Sequence, residues 1–153
     1  MITTEVIRNW FGKDIDCGAK IELSNKKCYY SKCFVLAVAH GIKSFAKCEK
    51  NKIYTFRDDE KNICEKILQI MKKHNIGDNE LIDTSIHSEF IEEIKKEYNV
   101  GIEIYTEYGG SLFSAHDKWE DDNNELFCIV NILCRHEHYT LIPHGESLKP
   151  YFS

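Results

Sequence analysis

Seven cysteines and seven histidines in a chain of 153 residues put thiol chemistry first among the reactions this sequence could support. A cysteine becomes a nucleophile when its thiolate is stabilised, either by the open N–H groups and positive dipole end of a helix N-terminus or by a histidine that takes the proton. Cys33 suits the first device: it stands two residues after Ser31, a good N-cap, and opens an apolar run that continues to Ala39. The same N–H groups can hold an oxyanion, so Tyr30, Ser31 and Lys32 are assigned to the oxyanion loop. For the second device the candidate base is His138, which opens a short strand beside an apolar one. Side chains alternate along a strand, so Thr140 shares its face and is the candidate contact for the imidazole. A carboxylate or amide would orient the ring better than a hydroxyl; Asp14 and Asp16 are outside substitutes that nothing in the spacing selects.

Rival assignments are few. Cys28 precedes two aromatic residues, but as nucleophile it would put Lys32 where a small residue must pack, which favours Cys33. His136 replaces His138 as base if the register slips by two. Cys17, Cys48, Cys64, Cys128 and Cys134 read as core or surface thiols without a role. Cys28 and Cys33, or Cys134, His136 and His138, do not form the paired short-spaced knuckles of a zinc site, so no metal is expected. A cysteine in the first turn of an apolar helix is more often a small core residue, and a strand histidine is usually structural. The case for chemistry therefore rests on their combination.

Those residues need elements to place them. Residues 31–46 read as a helix apolar nearly all round, hence central. Residues 59–74 carry Ile63, Ile67, Ile70 and Met71 at helical spacing with Gly77 beyond, and 85–98 repeat the pattern with Ile86, Phe90, Ile94 and Tyr98. The period then changes to two at 100–105. Gly109 and Gly110 turn the chain, and 111–125, with Trp119 and the acidic run from Asp121 to Asn124, reads as a solvated loop. Residues 127–133 make a strand covered on both faces, and 138–142 a last strand stopped by Pro143. Helices first and sheet later give an α+β fold in one domain spanning 1–153.

Composition narrows the class of function. A net charge of −5 argues against nucleic acid as a partner, because such binding rests on concentrated Lys and Arg. No signal peptide is read at the start, and the longest apolar run is far too short for a bilayer, so the expectation is a cytoplasmic protein with free thiols and no membrane partner.

Three segments, in order, carry a family resemblance. The run Tyr30-Ser31-Lys32-Cys33-Phe34-Val35-Leu36-Ala37-Val38-Ala39-His40-Gly41 looks like a catalytic helix, 89–105 like the helix and strand that follow, and 128–142, with its His138-Tyr139 pair, like the last two strands of the ovarian-tumour (OTU) family of papain-like cysteine proteases. The resemblance spans roughly 27–142. That family usually carries Asp-Gly where this chain has Tyr30 and Ser31, and Asp or Asn where it has Thr140. The resemblance implies a papain-like OTU-type domain with a small mixed or antiparallel sheet packed between helices. It also implies a cysteine-type deubiquitinase that hydrolyses (iso)peptide bonds after ubiquitin or ubiquitin-like C-termini, through a Cys33–His138 thioester mechanism without cofactor. Its partner would be ubiquitin or a ubiquitin-like protein, and it would act as a monomer. Two alternatives share these residues: a papain-like protease that processes a viral polyprotein, and a catalytically weak OTU-like module that binds ubiquitin. The abundance of Lys, Asn and Ile suits an AT-rich viral or parasite genome, and with it the host cytoplasm.

Overall fold

The computed structural model describes residues 13–48, 59–108, 111–113 and 128–143. Three helices and two sheets make an α+β fold in that part of the chain: β1 (Ile21–Glu22), β2 (Cys28–Tyr29), α1 (Cys33–Cys48), α2 (Glu60–Lys73), α3 (Ser88–Tyr98), β3 (Val100–Thr106), β4 (Ser111–Phe113), β5 (Cys128–Arg135) and β6 (His138–Ile142). The helices fall where apolar spacing places them. α1 buries Phe34, Val35, Ala37, Val38, Ala39 and Ile42 completely or nearly so, as an all-round apolar helix must. α2 is capped by Asp59, whose side chain accepts from the Asn62 N–H at 2.9 Å, and it ends with Lys72 and Lys73 on the negative end of its dipole. α3 ends at Asn99, held in the left-handed conformation (φ 52°) that commonly closes helices.

Two boundaries differ from the sequence reading. α3 starts at Ser88 instead of residue 85, because Asp83 Oδ1 accepts from the Ser85 N–H and Oγ and from the Ile86 N–H, folding 83–86 into a turn. Ile86, assigned to the buried face, is consequently 74% exposed. Residues 111–113, assigned to a loop, pair with β3 as β4; Trp119 and the acidic run lie outside the described residues.

The larger sheet has the order β4-β3-β5-β6, with β3 and β5 parallel and the outer pairs antiparallel. One face, carrying Ile102, Ile104, Val130, Ile132, Tyr139 and Leu141, shares a single core with the apolar sides of all three helices. Among the described residues the three helices gather on this face, and Tyr105, Leu133 and Ile142 on the opposite face are buried as well. α1 lies against β5 and β6, α3 against β3, and α2 bridges the other two helices. Gly41 marks the closest approach of α1 to the sheet: a Cβ there would come within 2.8 Å of Val130 Cγ1 and 3.0 Å of Leu141 Cδ1. The hairpin β1–β2, too short to carry a periodic signal, precedes α1 and leads the chain into Cys33.

Candidate active site

Cys33 is the first residue of α1, since the Lys32 carbonyl accepts the Leu36 N–H at 3.0 Å and so receives the first intrahelical bond. The N-cap is thus Lys32 rather than Ser31. Ser31 sits before it in the left-handed region (φ 58°), a backbone that glycine adopts far more easily. In the peptide groups around the sulfur, the Tyr30 N–H donates to Asn79 Oδ1 at 3.2 Å and the Lys32 N–H to the Ala19 carbonyl at 2.9 Å. Of the loop Tyr30–Lys32 assigned to an oxyanion, the Ser31 N–H alone is left without an acceptor among the described residues, and the N–H of Cys33 itself, outside that loop, is left so too.

From the other side comes β6. All of β6 pairs with β5, but the backbone N–H and C=O groups of its odd-numbered residues point away from that partner: Leu141 exchanges both backbone bonds with Ile15, at 2.7 and 2.9 Å. One step back along the same edge, the Tyr139 N–H donates to Cys33 Sγ at 3.5 Å. The thiol therefore docks on the strand edge at the residue after His138. Ring packing holds this approach, with Phe34 edge-on to Tyr139 at 5.3 Å and tilted against Phe90 at 6.2 Å.

Ile15 brings its two neighbours to the face that carries His138 and Thr140. Asp16 Oδ1 lies 3.0 Å from His138 Nε2. The Gly18 N–H donates to the same carboxylate at 2.9 Å; that bond first, and the His138 contact second, hold Asp16 below the ordinary aspartate range. An ionised Asp16 fixes the imidazole proton on Nε2 and leaves Nδ1 with its lone pair, the arrangement a base needs. Thr140 takes another role. Its Oγ1 donates to Asp14 Oδ2 at 2.6 Å, and Arg135 Nη2 meets the same oxygen at 3.3 Å, so the hydroxyl is spent on anchoring the segment that delivers Asp16.

The rivals fall elsewhere. Cys28 lies on β2 opposite Glu22, away from any helix N-terminus, with its thiol on the Lys26 carbonyl at 3.8 Å. His136 does not share the strand face of His138: with Glu137 it forms the two-residue turn between β5 and β6, both with positive φ (51° and 63°), and it is exposed. Cys134 pairs across the sheet with Tyr139, and burial pushes its thiol up. Cys64 is a core residue; burial raises it to about 12, and raises Cys17 to about 11. Among the described residues no three His, Cys, Asp or Glu side chains cluster as metal ligands, and no helix is long and apolar enough to cross a membrane.

The decisive feature that the spacing did not select is Asp16. Its signal is local: Asp14-Ile15-Asp16 alternates with period two, and a strand-like segment of that kind presents both carboxylates on one side.

No protein-family model, curated protein or solved structure matches this chain.

Proposed function

We propose that this chain is a cysteine protease of the papain-like OTU type, a deubiquitinase that cleaves (iso)peptide bonds after ubiquitin or ubiquitin-like C-termini. The observation that carries the reading is the docking of Cys33, first residue of a buried helix, on the edge of β6 beside a histidine that a carboxylate holds through Nε2. Cys33 attacks the scissile carbonyl carbon while His138 Nδ1 takes the thiol proton and later delivers it to the departing lysine amine. The thioester that remains is cleaved by water, activated by the same imidazole. The Cys33 and Ser31 N–H groups stabilise the oxyanion, and Asp16 stabilises the imidazolium. The left-handed backbone of Ser31 supports the family comparison, because it occupies the position where that family carries glycine.

A second reading draws on one observation: Cys33 is only 3% exposed and its sulfur is already bonded to a backbone N–H. That favours a weakly catalytic module that binds ubiquitin. Incubation with ubiquitin bearing a C-terminal electrophile separates the two. The protease forms a covalent adduct that survives Cys28→Ala and is lost in Cys33→Ala; a binding module retains ubiquitin without an adduct in all three proteins.

A further inference from the structure

We infer that the main-chain N–H of Tyr139 is a catalytic group of the Cys33 site: it touches the reacting sulfur and holds it in the ionised, attacking form. This rests on Cys33 being the reactive cysteine and not on which substrate it cleaves.

The edge of β6 sets this N–H aside for the sulfur. Leu141 and Ile15 exchange both of their backbone bonds, so a regular antiparallel ladder would bring residue 17 opposite Tyr139 and offer its N–H a carbonyl oxygen. The pairing ends with that one bridge instead. Asp16 Oδ1 accepts the Gly18 N–H at 2.9 Å, and Gly18 takes a positive φ of 86°, which turns the chain off the strand edge. One residue further, the Ala19 carbonyl accepts the Lys32 N–H at 2.9 Å, so the diverted chain runs to the start of α1. Cys33 Sγ stands where the ladder's carbonyl would have been, 3.5 Å from the Tyr139 nitrogen. The tyrosine side chain fixes the arrangement: its Oη donates to the Ile82 carbonyl at 2.7 Å, and its ring meets Phe34, the residue after Cys33, edge-on at 5.3 Å.

An N–H bond to an ionised acceptor is about twice as strong as one to a neutral acceptor, so this contact favours the sulfur anion over the thiol. Cys33 is 3% exposed, and little water competes for its sulfur. The titratable and charged groups around it are Lys32 beside it in the chain, His138 and the Tyr139 phenol on β6, Cys134 on β5, Asp16 on the edge segment, and Asp78, Glu80 and Asp83 on the segment that follows α2. Removing one main-chain N–H alters none of them.

The test replaces the Tyr139 N–H by an ester oxygen, by building the α-hydroxy analogue of tyrosine into the whole protein. The same exchange at Leu141, whose N–H serves Ile15 on the same edge, is the control. Both proteins and wild type are alkylated with iodoacetamide from pH 5 to 10, scored on the Cys33 peptide by mass spectrometry. The Tyr139 ester should slow Cys33 modification at pH 7 by about tenfold, as a one-unit rise in the alkylation midpoint would, and should approach wild type at high pH. The Leu141 ester should stay within about twofold of wild type, because the sulfur does not touch that N–H. A Tyr139 ester that reacts like wild type, or like the Leu141 ester, overturns the inference. Should the esters fail to fold, NMR of the unaltered protein decides. The Tyr139 amide resonance should move over the pH range in which Cys33 becomes reactive and should cease to do so in Cys33→Ala; a resonance that does not move is a refutation. Neither measurement involves ubiquitin, so a failed ubiquitin probe and a failed role for this N–H give different results.

Discussion

Gly41→Ala is the substitution whose effect the geometry fixes most tightly. In a helix interior alanine is normally preferred to glycine by roughly 1 kcal/mol, so propensity alone predicts stabilisation. The packing predicts the reverse. The new Cβ would lie 2.8 and 3.4 Å from the two methyls of Val130 and 3.0 Å from Leu141, and both residues are fully buried. Val130 is β-branched and stiff at χ1, which leaves α1 to move instead. Overpacking of this kind costs about 1–3 kcal/mol, so the net expectation after the propensity gain is a loss of up to about 2 kcal/mol. Because α1 also carries Cys33, the shift lengthens its contact with the Tyr139 N–H, and reaction with the ubiquitin probe should slow as well. Val130→Ala removes both offending methyls and alone costs about 2 kcal/mol in lost burial and cavity. Combined, the two substitutions should cost less than their sum by at least about 1 kcal/mol. Urea denaturation followed by circular dichroism, at constant slope, measures each term. A Gly41→Ala midpoint above wild type, or strict additivity in the double variant, would refute the argument that close approach dictates this glycine.

Asp16→Ala should lower turnover of a ubiquitin substrate by about 100-fold with little change in KM, and Asp16→Asn by less, since the amide still orients the ring; equal activity in all three would detach Asp16 from the reaction. Thr140→Val deletes the hydroxyl held by Asp14 and should cost about 1–2 kcal/mol of stability. Its pH–rate profile should nevertheless keep the wild-type shape, and a shifted limb would mean that Thr140 acts on the imidazole directly. The native state keeps the Cys17 and Cys64 thiols protonated up to about 11 and about 12 respectively, whereas the unfolded chain releases those protons near the ordinary value of 9.0. In that window the native state holds more protons, so stability is full below about pH 9 and falls as pH rises towards 12. Cys64→Ala should flatten this alkaline slope, and an unchanged slope would show that other groups set it.

Helix positions were legible because burial on one or all sides writes a period into the sequence: α1, α2 and α3 are each a run of apolar residues at the expected spacing. Cys33 and His138 were legible for related reasons, one opening the apolar helix and the other opening a strand. What periodicity does not encode is the long-range docking of short segments. β1, β2 and β4 have two or three residues each, less than a pattern needs, and residues 14–16 form a single bridge. Lys32 enters the sequence reading through its place before Cys33; its burial, at 1% exposure with Nζ on the Glu80 carbonyl, depends on the packing of 77–82 and leaves no local signal.

The geometry of the edge of β6 explains why so little of the site is carried by side chains alone. An edge strand offers outward N–H and C=O groups at every second residue, and these must be satisfied. Here Leu141 gives its pair to Ile15 and Tyr139 gives its N–H to the Cys33 sulfur. The two partners are therefore fixed in register with each other through the strand, and with them the carboxylate of Asp16 and the imidazole of His138. A one-residue slip of β6 would turn His138 into the core and bring Tyr139 to the surface, losing the candidate base and the ring packing on Phe34 together. What prevents the slip is the two-residue turn at His136 and Glu137, whose paired positive φ values set the register of the hairpin. The turn histidine thus serves the candidate site through backbone geometry, so replacing it by Asn or Gly, which tolerate that conformation, should preserve reactivity at Cys33, while a β-branched residue there should not.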